Sequence, residues 1–166
     1  MTTELAAPRP PVTITVHGRP APQGSKRAFM GKRKDGTPVA RVIESSHDRV
    51  KSWRQAVMDA AAEVMAPSWQ RDRYPLSGPL DVTMRFYLPR PKSHYGTGRN
   101  EHVLKPSAPA YPVKPPDVGK LGRATEDALT ICGMYGDDAQ IVVSFLDKVW
   151  ADGHLLGADI TIRQLT

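Results

Sequence analysis

A two-residue period constrains this 166-residue chain more than any other feature. Val12, Ile14 and Val16 alternate with Thr13, Thr15 and His17. Leu80, Val82, Met84, Phe86 and Leu88 alternate with Asp81, Thr83, Arg85 and Tyr87, and Ala158, Ile160 and Ile162 alternate with Asp159, Thr161 and Arg163. Successive side chains of a strand point to opposite faces, so each segment reads as a strand with one buried face in a mostly antiparallel sheet. QIVVSFLDKVW (140–150) is apolar on both faces over its first half, which predicts a central place in that sheet. Residues 39–43 read as a shorter strand, hairpinned to 28–30 through KRKDGTP with its Asp35-Gly36 turn signal.

Two segments carry the helical period instead. The first begins at a Ser45-Ser46 cap, places Val50, Trp53, Val57, Ala61 and Val64 on one stripe, and stops at Pro67. The second runs over 118–132 behind Pro115-Pro116-Asp117, with Leu121, Ala124, Ala128, Leu129 and Cys132 as its apolar stripe. The expected fold is α+β: one domain over 12–166, a mixed and mostly antiparallel sheet with two main helices packed on it, behind a flexible tail at 1–11. Residues 89–116 show neither period and hold seven of the 16 prolines, so they read as a long basic loop. Loops of that length in a compact domain are commonly functional, and a mobile substrate-gripping arm is the preferred expectation.

Composition narrows the function. No apolar run approaches the roughly 18 residues of a membrane helix, and MTTELAAPRPP lacks a signal core, so the expected location is the cytoplasm. One cysteine, Cys132, excludes an intrachain disulfide framework or a zinc cluster. The net charge is +6 and unevenly spread. Residues 19–54 hold ten basic against three acidic residues and 85–123 hold eight against two, whereas 126–159 hold seven acids and only Lys148. Two basic arms around an acidic centre suit a polyanionic partner, although an unevenly charged solvated surface reads the same way. Arg49, Lys51 and Arg54 stand in the first turns of the first helix, where the dipole disfavours cations by roughly 0.3–1 kcal/mol each, which favours a role in holding phosphate. The five histidines show no ligand spacing and read as surface or strand residues.

The chemistry concentrates in KPPDVGKLGRATEDAL and the following CGMYGDDAQIVV. Asp117 opens a helix and Asp137-Asp138 stand at the entrance of a strand. Such termini can meet, and converging carboxylates would make a hard oxygen site suited to magnesium. Asp117 is equally explicable as an N-cap, and Gly-Asp-Asp as ordinary turn chemistry.

These two blocks resemble the signature of the RusA family of Holliday-junction resolvases. Asp117 matches its first aspartate, Leu121 its leucine, Arg123 its basic helix residue, Asp127-Ala128-Leu129 its DAL element, and Asp137 to Ile141 its second acidic block. The opening strand, the basic turn GRPAPQGSKRAF and the helix containing SWRQAV follow in the family's order. One departure stands out: Gly119 occupies the place of a second aspartate, and Lys120 follows where many members have Asn. Glu126 or Asp127 could supply the missing carboxylate, although Asp127 also sits at i,i+4 from Arg123 as a structural partner.

The resemblance implies a homodimeric nuclease that nicks four-way DNA junctions symmetrically in recombination and repair, in a bacterial cell or phage-infected host. It implies magnesium, with manganese as a substitute and no small-molecule cofactor. Asp117 and Asp138 would hold the metal, with Asp137 close by and Asp127 a fourth candidate; Arg123, assisted by Lys120, would neutralise charge on the phosphate. DNA-backbone contacts are expected from Lys26, Arg27, Lys32, Arg33 and Lys34 around the hairpin, Arg49, Lys51 and Arg54 on the first helix, and Lys92, Arg99, Lys105 and Lys114 in the loop. Tyr95 and Tyr111 are candidates for base stacking. Two alternatives remain: a catalytically weakened junction-binding protein, supported by Gly119, and a general nuclease of the PD-(D/E)xK type with Gln140 in place of Lys.

Overall fold

In a computed structural model, which describes residues 9–24, 26–44 and 47–165, the period-two segments form one mixed sheet. Its strands are β1 (Val12–His17), β4 (Leu80–Leu88), β5 (Ile141–Trp150) and β6 (Gly157–Gln164), in the order β1-β6-β4-β5. A separate two-stranded sheet pairs β2 (Lys26–Lys32) with β3 (Pro38–Glu44). Its turn uses the left-handed conformation of Gly36, and the Asp35 carboxylate accepts from Thr37 N and Oγ1. Most of the expected tail and the expected Ser45-Ser46 cap lie outside the described residues.

The single α+β domain and its two main helices are as expected. Helix α1 (His47–Met65) buries Val50, Trp53, Val57 and Ala61, with Val64 only partly covered. Helix α2 (Val118–Ile131) buries Leu121, Ala124, Ala128 and Leu129, and Cys132 forms its C-terminal cap. The helices pack on each other, α1 against β1 and α2 against β5. A polar bond joins them: the Trp53 indole N–H donates to Thr125 Oγ1 (3.0 Å), and Thr125 Oγ1 donates to Leu121 O (2.9 Å). The strand residues at even positions, Ile14, Leu80, Val82, Met84, Phe86, Ile160 and Ile162 among them, fill the core beneath.

Strand β5 departs from expectation. Among the described residues it is an edge strand, not a central one, paired only with β4 and parallel to it, from Leu80↔Ile141 to Leu88↔Trp150. Its two apolar faces are not two covered faces, because Val142, Val143 and Phe145 are exposed. The parallel pairing requires a crossover, and the 89–116 segment followed by α2 supplies it.

That segment is also folded on itself. It holds short 3-10 turns at Lys92–His94 and Gly98–Asn100, and Gly96 N donates to Val103 O and Lys105 N to His94 O. Its base is pinned by Arg90, which makes a two-point ion pair with Asp152, donates to Pro109 O and lies 5.0 Å from the Trp150 ring centre. Trp150 Nε1 donates to the same Pro109 carbonyl. No helix among the described residues is long and apolar enough to cross a membrane.

Candidate active site

Asp117 precedes the first turn of α2, and its main-chain carbonyl accepts from Lys120 N and Leu121 N. Its carboxylate makes no capping bond, so the commonest reason for an aspartate at this position does not operate here. The carboxylate is exposed and lies 3.4 Å from Lys120 Nζ. Beyond a Cβ built on Gly119 there is open space, so a side chain fits where the resemblance expects an aspartate. The residues before Asp117 are held from the strand side: Lys148 Nζ donates to Lys114 O (2.9 Å) and Pro116 O (2.8 Å). Lys148 was legible in the sequence only as the one cation in an acidic stretch.

The second acidic block has a different character. Asp137 caps the 3-10 turn Asp138–Gln140, accepting from Ala139 N (2.8 Å). Gln140 Oε1 accepts from Gly136 N and Asp137 N, and its Nε2 donates to Leu76 O and Gly78 O, so this turn is clamped to the chain leading into β4. Asp137 and Gln140 therefore have structural work. Asp138 is exposed beside them. Its charge is felt by half-buried Glu126, whose carboxyl is pushed above its ordinary range first by burial and then by Asp138 and Asp127, with Arg123 opposing. Tyr135, whose hydroxyl donates to Glu126 O, is pushed up chiefly by burial and next by the Glu126 and Asp138 carboxylates.

Asp117 and Asp138 do not meet within one chain. In a parallel β–α–β unit the helix starts at the C-terminal end of its strands and finishes at their N-terminal end. The contacts follow that rule: Pro116 O reaches Lys148, Gly122 packs against Leu146, and the helix end leads to the turn that opens β5. Seven strand steps from Ile141 to Lys148 place the two aspartates on the order of 20 Å apart. Among the described residues no three His, Cys, Asp or Glu side chains form a metal-ligand group. The expected convergence of termini fails because a parallel crossover sends them to opposite ends.

Asp127 is committed elsewhere as well. It accepts from Arg54 Nη2 (2.6 Å) and Gln23 Nε2 (3.3 Å), tying α2 to α1 and to the turn after β1. The expected partner Arg123 is exposed, and the pairing with Arg54 takes its place because α1 lies across α2. Arg54 Nε and Gln23 Oε1 remain buried without partners. Arg54, expected as a backbone-contacting cation, is thus engaged in an ion pair that ties the two helices. The acidic centre also disperses: Asp147 pairs with Arg85 (2.8 Å), Asp159 accepts from Tyr87 and Thr15 on the outer sheet face, and Asp152 pairs with Arg90.

The remaining expected DNA-contacting cations whose side chains are described are exposed. Lys32, Arg33 and Lys34 stand at the hairpin turn, Arg49 and Lys51 on α1, and Lys92, Arg99, Lys105 and Lys114 on the long loop. Lys105 also donates to Ser93 O, fastening the loop. The side chains of Lys26 and Arg27 lie outside the described residues. Tyr111 is exposed, whereas Tyr95 is half-buried in the loop's internal bridge to Leu104.

An α+β domain that sets exposed carboxylates among exposed lysines and arginines has the chemistry of proteins that act on phosphodiesters. The sequence matches the family model for endodeoxyribonuclease RusA over residues 19–163, and the chain belongs to that family of DNA nucleases. No curated protein matched it.

Proposed function

We propose that this protein is a magnesium-dependent Holliday-junction resolvase that works as a homodimer, each active site joining Asp117 of one copy to Asp138 of the other. The observation that carries the dimeric reading is the separation of the two aspartates across an apolar strip. Val142, Val143 and Phe145 on the β5 edge and Ile131 at the end of α2 are all exposed, the last at 68%. An unpaired edge strand with apolar side chains invites pairing with another chain. A two-fold axis through the middle of that strip runs the copies antiparallel, so the Asp117 end of each meets the Asp138 end of the other.

The donor set suits the metal only in that arrangement: two exposed carboxylates from different copies, with Glu126 beside Asp138, give hard oxygen ligands that one chain does not bring together. A bound magnesium ion supplies Lewis acidity toward phosphate and lowers the pKa of a water ligand. The protein's own residues do the rest. Arg123 and Lys120, exposed on α2 near Asp117, stabilise charge on the scissile phosphate, and Lys148 fixes the turn that aims Asp117. The hairpin, α1 and loop cations hold the junction arms through their backbones.

The test is cleavage of a four-way junction with and without magnesium by wild type, Asp117→Asn and Asp138→Asn. Paired symmetric nicks by wild type, and bound but uncut junction for both variants, support the reading. Bound junction left uncut by the wild type would identify a junction-binding protein, and degradation of linear duplex a general nuclease. Wild-type rates in both variants would remove the proposed site.

A further inference from the structure

Beside Asp117 opens a cleft of about 530 Å³, between α1, the turn after β1 and the Pro115-Pro116 turn. We propose that it receives one unstacked nucleobase of the strand whose phosphate lies at Asp117. This rests on the DNA-cutting reading and adds a specific ligand subsite to it.

The shape and chemistry of the walls carry the proposal. Pro22, Pro115 and Pro116 line it with rings that carry no hydrogen-bond donor, and Ala56 adds a small apolar patch. Trp53 and Pro20 also line the cleft but are themselves buried, so Pro22, Pro115 and Pro116 and not the indole form the stacking surfaces. Flat apolar walls suit the face of a base, and the volume lies within the roughly 300–1,000 Å³ of small-ligand sites. Proline rings are among the apolar side chains that proteins insert against base steps.

The rim supplies what the rest of a nucleotide needs. Arg19 and Arg49, both exposed, are placed to meet the flanking phosphates, while Ser52 Oγ, which donates to Asp48 O, keeps its lone pairs for a donor on a base edge. That oxygen accepts from an exocyclic amine of a base. Position decides the occupant: Pro116 is bonded directly to Asp117, so a base entering the cleft belongs to the strand being cut. Unstacking costs least where pairing is already broken, as it is next to a branch point.

The experiment uses four-way junctions carrying a single 2-aminopurine at successive positions flanking the branch, bound by the full-length protein without divalent ions. Unlabelled junction in a mobility-shift assay reads binding, and probe fluorescence reads unstacking. The wild type is expected to brighten the probe at one position and its symmetry mate. Ser52→Phe, at an exposed site on the cleft, is expected to return that probe to its unbound brightness while weakening junction binding by about fivefold or less. Arg49→Ala, which removes no packing, should lower the brightness partially. If the wild type fails to bind the junction, the junction-resolvase reading falls and the occupant with it. A bound junction with no bright position, or Ser52→Phe as bright as wild type and equally folded by circular dichroism, overturns the cleft proposal alone.

Discussion

Replacing Lys148 by Met keeps the aliphatic stem along β5 and removes the ammonium that holds Lys114 O at 2.9 Å and Pro116 O at 2.8 Å. A hydrogen bond from a charged donor contributes about 1.5–3 kcal/mol where the acceptor is sheltered. Here Lys148 is half-buried and the Lys114 residue exposed, so water replaces part of the loss and the pair together should cost about 1–2 kcal/mol. That is measurable as a shift in the urea midpoint at unchanged slope. The functional effect should be larger. Lys148 is the tie between the strand and the turn that presents Asp117, and a displacement of about 1 Å at a reacting centre can cost on the order of a hundredfold in rate. Single-turnover cleavage of a four-way junction at saturating protein should therefore fall by roughly tenfold or more, with the junction Kd within about threefold of wild type. An unchanged cleavage rate alongside the stability loss would refute the positioning role. A rate loss that disappears at saturating protein would show that Lys148 acts in binding.

Further outcomes follow from other contacts. Thr125→Val leaves the buried Trp53 N–H without its acceptor and should destabilise the fold by about 1–3 kcal/mol in equilibrium unfolding, with cleavage per folded molecule unchanged. The Arg90 guanidinium holds the Asp152 carboxyl below its ordinary value of 3.8, so the stability that pair adds is present above that value and lost as pH falls through the depressed folded-state pKa. Asp152→Asn should flatten that acid limb of the stability profile and raise protease sensitivity in the loop between Pro91 and Pro116. Lys51→Gln should reduce the slope of log K against log salt for DNA binding by roughly one, whereas Arg54→Gln, removing a cation already paired with Asp127, should leave the slope unchanged and lower the melting temperature.

How legible this molecule was in its sequence differs from level to level. Strand and helix positions were readable because each depends on a local period: the buried residues of β1, β4 and β6 are the alternating ones, and the α2 stripe is buried at the positions its spacing indicates. The place of β5 was not readable, because apolarity on both faces suits a central strand and an edge that another surface covers equally well. The relation between Asp117 and Asp138 was not readable for a related reason. Local patterns do not reveal whether β5 runs parallel or antiparallel to β4, and that choice decides whether the two carboxylates share an end. Asp127 and Arg54 each had a plausible functional reading, and only the crossing of α1 over α2 shows that they neutralise each other.

The composite site is tested most directly by mixing two inactive chains. Asp117→Asn and Asp138→Asn proteins, denatured together and refolded at equal concentration, form mixed dimers. If each site takes Asp117 from one copy and Asp138 from the other, one site of every mixed dimer is intact, and magnesium-dependent single nicks in a four-way junction should return although neither variant nicks alone. If the site forms within one chain, both sites of the mixed dimer carry a substitution and the mixture should stay as inactive as its components.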